Sequence, residues 1–449
     1  MESSLKKALA FRHLVLLGIM AMNPIAGLSM FGFTATLSEG NVILTYFVAF
    51  VAMSFTALSY SKMVELFPSA GSSYTYVSKG IHKNAGFLAG WLMLLDYVMI
   101  PATTILQAGL FLNILFPSVA VWIWLLIIVT FTTIANYFGV QVAAKVNNVL
   151  LAVITIALLA FVGCTIYYVA TQETLSLIHL PAVFNQNTFG MTAVFSGAAL
   201  GIMCYFGFEA MTTLSEETKI TSKQVGIAAF ISLGTLTLIF MISSYLATLI
   251  MPDFMAIQNI ETAISEVIQI VGGDTLNLII LIAMIMAFIG ISLIAQSSAS
   301  RLLFAKGRDG ALPKKFFAKL HPKHQTPYLS IILLGIVTFI VPLVFPLLIL
   351  TELISFGGIC GFIMVNLAVI IYNIRQHEKR KIFINYVCPA LGLLIMSVIL
   401  VSLSSNALIV GGCWIIVGIG TLLLSKRLQP KEQLELQSAS IDGTETSIQ

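Results

Sequence analysis

Charge is what this sequence has least of. Asp, Glu, Lys and Arg make up 9% of its 449 residues, against roughly 25% in soluble globular domains. So few charges cannot clothe a water-exposed surface, which excludes a soluble protein and leaves lipid as the surrounding medium. Histidine is missing from the middle of every long apolar run: His13, His82, His179, His321, His324 and His377 all lie at edges or in loops. That excludes bis-histidine haem ligation and HExxH metal chemistry. No GxSxG or Walker sequence occurs, so no enzyme is indicated and energy must come from a gradient or an exchanged solute. The five cysteines, Cys164, Cys204, Cys360, Cys388 and Cys413, show no CxxC spacing and read as small apolar packing residues. No metal, cofactor or nucleic-acid partner is expected. The net charge of +4 is small, and its placement matters more than its size.

What is present is apolar: 58% of the chain. A membrane span needs about 20 mostly apolar residues. Twelve segments qualify: Leu14–Leu37, Val42–Val64, Ala85–Leu115, Val121–Phe138, Val146–Ala170, Phe189–Leu214, Val225–Met251, Leu276–Phe304, Tyr328–Phe345, Leu347–Ile374, Tyr386–Leu403 and Leu408–Leu424. They lack the alternation of barrel strands, and lipid demands internal backbone pairing, so the fold class is all-α and polytopic. The bases Lys6, Lys7 and Arg12 precede an apolar run too long for a signal peptide, which is read as the first span.

With that count and a cytoplasmic N-terminus, all 23 Lys and Arg residues fall on one side. The opposite loops hold Glu39, Glu173, Asp253, Glu261, Glu266 and Asp274 instead. This is the positive-inside pattern, and one missed span would scramble it. It predicts a multi-pass protein of the inner or plasma membrane with both termini cytoplasmic. Residues 1–12 form the cytoplasmic N-terminus, 13–374 a ten-helix core and 375–425 two further helices. Residues 426–449 form a polar, disordered tail. Lys306–Pro327 reads as a cytoplasmic connector with a short helix at Lys314–Leu320.

Two spans carry interruptions. Span 1 contains Met22-Asn23-Pro24-Ile25-Ala26-Gly27, where proline removes a donor and glycine eases unwinding. Span 6 contains Tyr205-Phe206-Gly207-Phe208-Glu209-Ala210. Spans 1 and 6 correspond if ten spans form two inverted five-helix repeats, and paired interruptions point to a transporter binding site. The plainer alternative is a proline kink and a packing glycine. A channel would need something like a carbonyl filter loop, and none is present.

These residues carry a resemblance. Lys62–Gly90 with Trp91 and Leu94-Leu95-Asp96-Tyr97, and Gly207-Phe208-Glu209-Ala210 running into Thr213–Thr218, resemble the amino acid–polyamine–organocation permease superfamily. So do Ser300–Phe304 leading to Gly307-Arg308-Asp309-Gly310, and His321-Pro322-Lys323 to Thr326-Pro327. The likeness is closest to the bacterial putrescine-importer-like branch. It implies a LeuT-type 5+5 inverted repeat plus two C-terminal helices. A family acid is replaced here by Ser29, and a coupling lysine of some relatives by Ile154. A dication prefers a carboxylate at the Ser29 position. The resemblance therefore implies an amino acid importer driven by H+ or Na+ through alternating access. A polyamine importer, or an amine/amino acid antiporter, is the alternative. Oligomeric state is left open, with a monomer sufficient.

Site candidates follow. Substrate contacts are expected at Asn23, Ala26, Gly27, Ser29, Tyr97, Tyr205, Phe206, Gly207, Phe208 and Glu209. Asp96 and Glu209 are carboxyls at bilayer depth, each costing roughly 2.5–3.5 kcal/mol on insertion scales. Such an acid is protonated, holds a coupling cation or faces an amine. The structural alternatives are that Asp96 caps a kink before Pro101 and that Glu209 bonds the amides of its own segment. Ser292, Ser297 and Ser298 are ion-ligand candidates or, equally, helix-packing glue. Arg301, Arg308 and Asp309 resemble an inner gate, and Glu352 is a candidate at the outer rim. For each of these the alternative is an ordinary surface role.

Overall fold

The computed structural model describes residues 10–67, 72–138, 143–173, 175–213, 218–308, 312–377 and 381–423, and these are all-helical apart from turns. The N-terminal region holds α1 (Phe11–Ala21), α2 (Ala26–Ser29), α3 (Phe31–Leu37), α4 (Val42–Leu66), α5 (Ser72–Gly80) and α6 (Lys83–Leu115). Next come α7 (Val121–Tyr137), α8 (Ala143–Thr171), α9 (Leu180–Val183), α10 (Met191–Met203), α11 (Ala210–Thr213) and α12 (Ser222–Ile250). The chain continues through α13 (Ala263–Arg308), α14 (Lys314–Phe317), α15 (Tyr328–Val344), α16 (Leu347–Arg375), α17 (Cys388–Val401) and α18 (Ser405–Leu423). Among the described residues nine helices are long and apolar enough to cross a membrane. Three shorter apolar helices are α7, α10 and α15.

Helix starts follow local chemistry. Thr221 opens α12 with a capping box, its hydroxyl accepting from Gln224 N and the Gln224 side chain accepting from Thr221 N. Pro327 and Pro346 stand at the caps of α15 and α16, where a missing amide costs nothing. α6 runs unbroken through Pro101, which cannot donate to the Tyr97 carbonyl one turn back.

Several boundaries differ from the hydropathy reading. α13 begins at Ala263, so Glu266 and Asp274 belong to a helix rather than a loop, with a kink at Gly273 (φ 62°). Its first turns mix polar and apolar residues, which hides them from a search for apolar runs. The same helix continues to Arg308, placing Arg301 and Arg308 on helical turns. The short helix of the connector is Lys314–Phe317. Asp309, Glu216, Glu217 and the tail 426–449 lie outside the described residues.

Packing is orderly. α4 lies along α12, α6 along α13, and α7 along α15. α1 packs on α12 and α10 on α4, while α8 runs beside α13 and α16 beside α6. Aromatic rings fill the centre: Tyr60 meets Phe208 at 5.0 Å and Phe362 at 6.0 Å, both edge-on. Buried polar groups fasten helix to helix. Asn366 on α16 donates to Thr56 Oγ1 (3.1 Å) and accepts from Ser59 Oγ (2.6 Å) on α4. Asn136 on α7 donates to Gln296 Oε1 on α13 (2.8 Å), and Gln296 donates to Thr133 (3.0 Å).

α18 is held by two devices. Trp91 Nε1 donates to the Trp414 carbonyl (2.9 Å) and Trp414 Nε1 to the Trp91 carbonyl (3.0 Å), with the rings stacked 4.8 Å apart. At its start, Ser404 donates from its amide (3.0 Å) and hydroxyl to the carboxylate of buried Glu352. Glu352 therefore joins α16 to the cap of α18. Replacing Trp414 by Phe keeps the stack and removes one donor. We expect a lower thermal midpoint of the detergent-solubilised protein, equivalent to about 1 kcal/mol; an unshifted midpoint would show that the clasp does not hold α18.

Candidate functional site

The two interruptions meet. α1 ends at Ala21; Asn23 takes φ 54° and Pro24 has no amide to give. Asn23 restarts the helix, its carbonyl accepting from Ala26 N (3.0 Å) and its Oδ1 from Ile25 N (3.4 Å). Among the described residues the amides of Gly27 and Leu28 take no acceptor. From Cys204 to Phe208 the helical ladder gives way to three-residue turns, with Cys204 N on Gly201 O, Tyr205 N on Ile202 O and Phe206 N on Met203 O. Gly207 sits at φ 105°, and a Cβ there would lie 2.5 Å from the Ala21 carbonyl oxygen. Only glycine allows one broken backbone to approach the other this closely.

Beside this junction lies a cavity of about 330 Å³ between α1, α6, α8, the span 6 break and α13. Its wall includes Asn23, Asp96, Tyr97, Phe206, Gly207, Glu209 and Ser298. Asp96 is 3% exposed, and its Oδ1 has no hydrogen-bond partner among the described residues. Glu209 is 6% exposed, and its Oε2 accepts from Gly207 N (3.1 Å). Glu209 thus closes its own turn and faces the cavity at once. No Lys, Arg or His lines the space.

A second cavity of about 100 Å³ lies across Phe206. Ala26, Ser29, Thr103, Thr104 and Gln107 help to line it.

The remaining candidates fall elsewhere. Gly27 packs on Phe240, and its carbonyl accepts from Tyr46 OH (3.0 Å). Tyr205 turns to Thr237, 2.8 Å away, and Phe208 is sealed in the ring cluster. Ser292 is buried with a hydroxyl that has no partner among the described residues, and Ser297 accepts from Ser300 through its carbonyl; neither lines either of these two cavities. Arg301 is exposed on α13. Sequence reasoning missed Thr103, Thr104 and Gln107. The i, i+4 spacing of Thr103 and Gln107 puts both on one face of α6, a signal available beforehand.

Membrane-crossing helices that enclose a cavity with two buried carboxyls at two backbone breaks define a multi-pass permease. The chain belongs to the amino acid permease family, whose profile matches residues 13–424, within the amino acid–polyamine–organocation superfamily. It is 30% identical to the low-affinity putrescine importer PlaP of Escherichia coli, over 92% of each chain. It is 26% identical to the branched-chain amino acid permease BcaP of Bacillus subtilis, over 96% of this chain and 95% of the relative. A methylthioribose transporter of Bacillus subtilis is 27% identical, over 85% and 84%. The family is one of transporters, so the chain is not an enzyme.

The junction makes a direct prediction. Gly207→Ala forces a side chain into positive φ and against a carbonyl, costing at least about 1–3 kcal/mol in backbone strain. Thermal stability and solute uptake should both fall; a variant with the original midpoint and uptake would show that the two breaks do not touch.

Proposed function

We propose that this chain is a gradient-driven importer of a small amine-bearing solute, working by alternating access. The observation that carries this is the cavity holding Asp96 and Glu209 with no basic side chain in its wall. Two carboxyls in a space with no built-in cation await a proton, a metal cation or an ammonium group. This moves the emphasis from an amino acid toward the amine alternative. Asp96 brings its carboxyl from α6 into the larger cavity, whereas Ser29 lines the smaller one.

The packing supports the inverted repeat. Number the spans in order, with α1–α3 as span 1, α10–α11 as span 6 and α16 as span 10. Nine long and three shorter helices then give twelve spans. Exchanging each core span with the one five later returns the same neighbours. α4 with α12, α6 with α13 and α7 with α15 map onto themselves. The pair α1 and α12 maps onto α10 and α4, and α8 with α13 onto α16 with α6.

Among the more extensive contacts, one breaks the exchange. α16 packs against α10, whereas α8 makes no comparable contact with α1 among the described residues. The larger cavity occupies that gap, between Leu17 and Met20 of α1 and Leu150 and Ile154 of α8. Closed on one side and parted on the other, the arrangement reads as a carrier facing the end of the molecule rich in Lys and Arg. On the positive-inside rule that end is cytoplasmic, as are both termini. H+ or Na+ would supply the drive.

A second reading, import of an α-amino acid, draws on the free amides of Gly27 and Leu28, which suit a carboxylate. A BcaP-like relative points the same way. Uptake into proteoliposomes of radiolabelled amines and amino acids, under imposed pH or Na+ gradients, separates the readings. We expect saturable, gradient-sensitive amine uptake. Glu209→Gln should lower it on the order of tenfold, as the loss of a charged hydrogen-bond partner implies, while the protein still inserts in the membrane. Saturable uptake confined to zwitterions, or wild-type kinetics in the variant, would overturn the amine reading.

A further inference from the structure

The turn between α17 and α18 is bonded from two sides. Ser196 Oγ on α10 donates to the Ser402 carbonyl (3.1 Å). From the other side, Ser404 donates its amide (3.0 Å) and its hydroxyl to the Glu352 carboxylate of α16. The backbone from Ser402 to Ser404 therefore joins α10 to α16. Leu403, between the two, is 5% exposed, so the turn is seated in the protein rather than laid over it. Glu352 stands in the second turn of α16, whose last residue is Arg375. The turn opens α18, and Lys426 and Arg427 follow the far end of that helix in the sequence. Both ties thus belong to the end of the molecule away from Lys and Arg.

The turn is not free to follow a moving helix. The Trp91–Trp414 clasp fixes α18 to α6, and Gly418 lies against the Trp91 ring. On α16, Phe356 comes one turn after Glu352. Its ring fills the space at Gly411 of α18, where a Cβ would lie 2.5 Å from it. α6, α16 and α18 therefore make one frame. α10 joins that frame through direct packing on α16 and through Ser196. The two ties of the turn differ in strength. Glu352 accepts two bonds on a carboxylate, whereas Ser196 makes one bond between neutral groups, and hydrogen bonds to charged groups are the stronger kind. The pair that the exchange of spans sets against α10 and α16 is α1 and α8, and it has no comparable contact among the described residues.

We infer that the α17–α18 turn is a latch, which holds the passage between α10 and α16 shut at the outer end and opens when Ser196 parts from Ser402. The inference rests on the alternating-access reading and gives a role to the two helices beyond the ten-helix core. The smaller cavity lies behind the latch: Met203 and Cys204 at the end of α10, and Ile354 of α16, help to line it. Because the Ser196 tie is the weaker, α10 moves away while α16 stays with α6 and α18. One neutral hydrogen bond is weak enough to break and reform in every cycle. Ser196 and Glu352 line neither cavity, so they are positioning residues that act through the placement of their helices. The fraction of time the latch is open scales the apparent affinity for a solute outside.

The test is one-sided thiol labelling of the full-length protein, with its five native cysteines replaced by alanine and one reporter introduced. Thr104→Cys reports on the smaller cavity and Ser298→Cys on the larger. A membrane-impermeant methanethiosulfonate is added to intact cells, or to inside-out vesicles for the cytoplasmic side. Adding Ser196→Ala should speed labelling of the Thr104→Cys reporter from outside severalfold, the effect of one neutral hydrogen bond. Labelling of the Ser298→Cys reporter from the cytoplasmic side should not rise. Ser404→Ala, which removes one of the two bonds to Glu352, should shift the outside rate in the same direction. Size-exclusion and melting profiles check folding, and Ser404→Ala decides if Ser196→Ala misfolds. An unchanged outside rate in the folded variants overturns the latch and leaves alternating access standing. Faster labelling from both sides is general loosening and overturns it as well. If the Ser298→Cys reporter alone resists labelling from the cytoplasmic side, the inward-facing reading fails and the latch falls with it.

Discussion

The backbone contact between Gly207 and Ala21 is the constraint from which the rest of the arrangement follows. Within lipid an interrupted helix is tolerated only where protein or a polar cavity meets its freed groups. Here two interruptions satisfy that condition by lying against each other. Proline at position 24 and positive φ at Asn23 stop α1; three-residue turns and positive φ at Gly207 stop α10. Because the junction admits no side chain at Gly207, the flanking residues are fixed in direction. Phe206 goes to the wall shared by the two cavities, Glu209 to the larger cavity, and Tyr205 and Phe208 to the packed interior.

Polar groups in this protein divide into those with partners and those without. Between helices, Asn366 with Thr56 and Ser59, and Asn136 with Gln296 and Thr133, are closed networks whose donors and acceptors match. The Trp91–Trp414 pair is closed in the same way. Such pairs contribute modestly, about 0.6 kcal/mol on average in membrane proteins, but they leave nothing for a ligand. Other buried polar atoms lack partners among the described residues: the Ser292 and Thr338 hydroxyls lie away from the two cavities, and Asp96 Oδ1 lies in the wall of the larger one. A carboxyl oxygen costs more to leave unmet than a hydroxyl, so the larger cavity is where a bound cation or solute has most to satisfy.

Much of the fold was legible beforehand because two strong signals bear on it. Apolar runs mark spans, and the one-sided distribution of Lys and Arg checks their order. The paired interruptions were legible because proline, glycine and a buried acid are rare together in an apolar helix. Side-chain direction was not. A soluble helix betrays its inner face by the polar residues opposite, but a span faces lipid on one side and protein on the other, and both are apolar. Hence Tyr205, Phe208 and Ser292 could not be separated from Phe206, Glu209 and Ser298 by pattern. Glu352 illustrates the same limit. An acid near a span end resembles a rim residue until Ser404, from a distant helix, is seen to cap it. The start of α13 was hidden for a different reason, since its first turns carry Glu266 and Asp274 and no sustained apolar run.

Ser29 and Asp96 show why motif position is a weak guide to charge in a cavity. What the solute meets is the potential inside a small low-dielectric space, and any wall can supply it. Ser29 on α2 and Asp96 on α6 belong to different helices, and they line adjoining chambers that share Asn23 and Phe206. With both acids on one side of Phe206 and no charged residue lining the other, the two cavities are electrically lopsided. That asymmetry would favour release once the acids are neutralised, because the second chamber has no charge of its own with which to retain a cation.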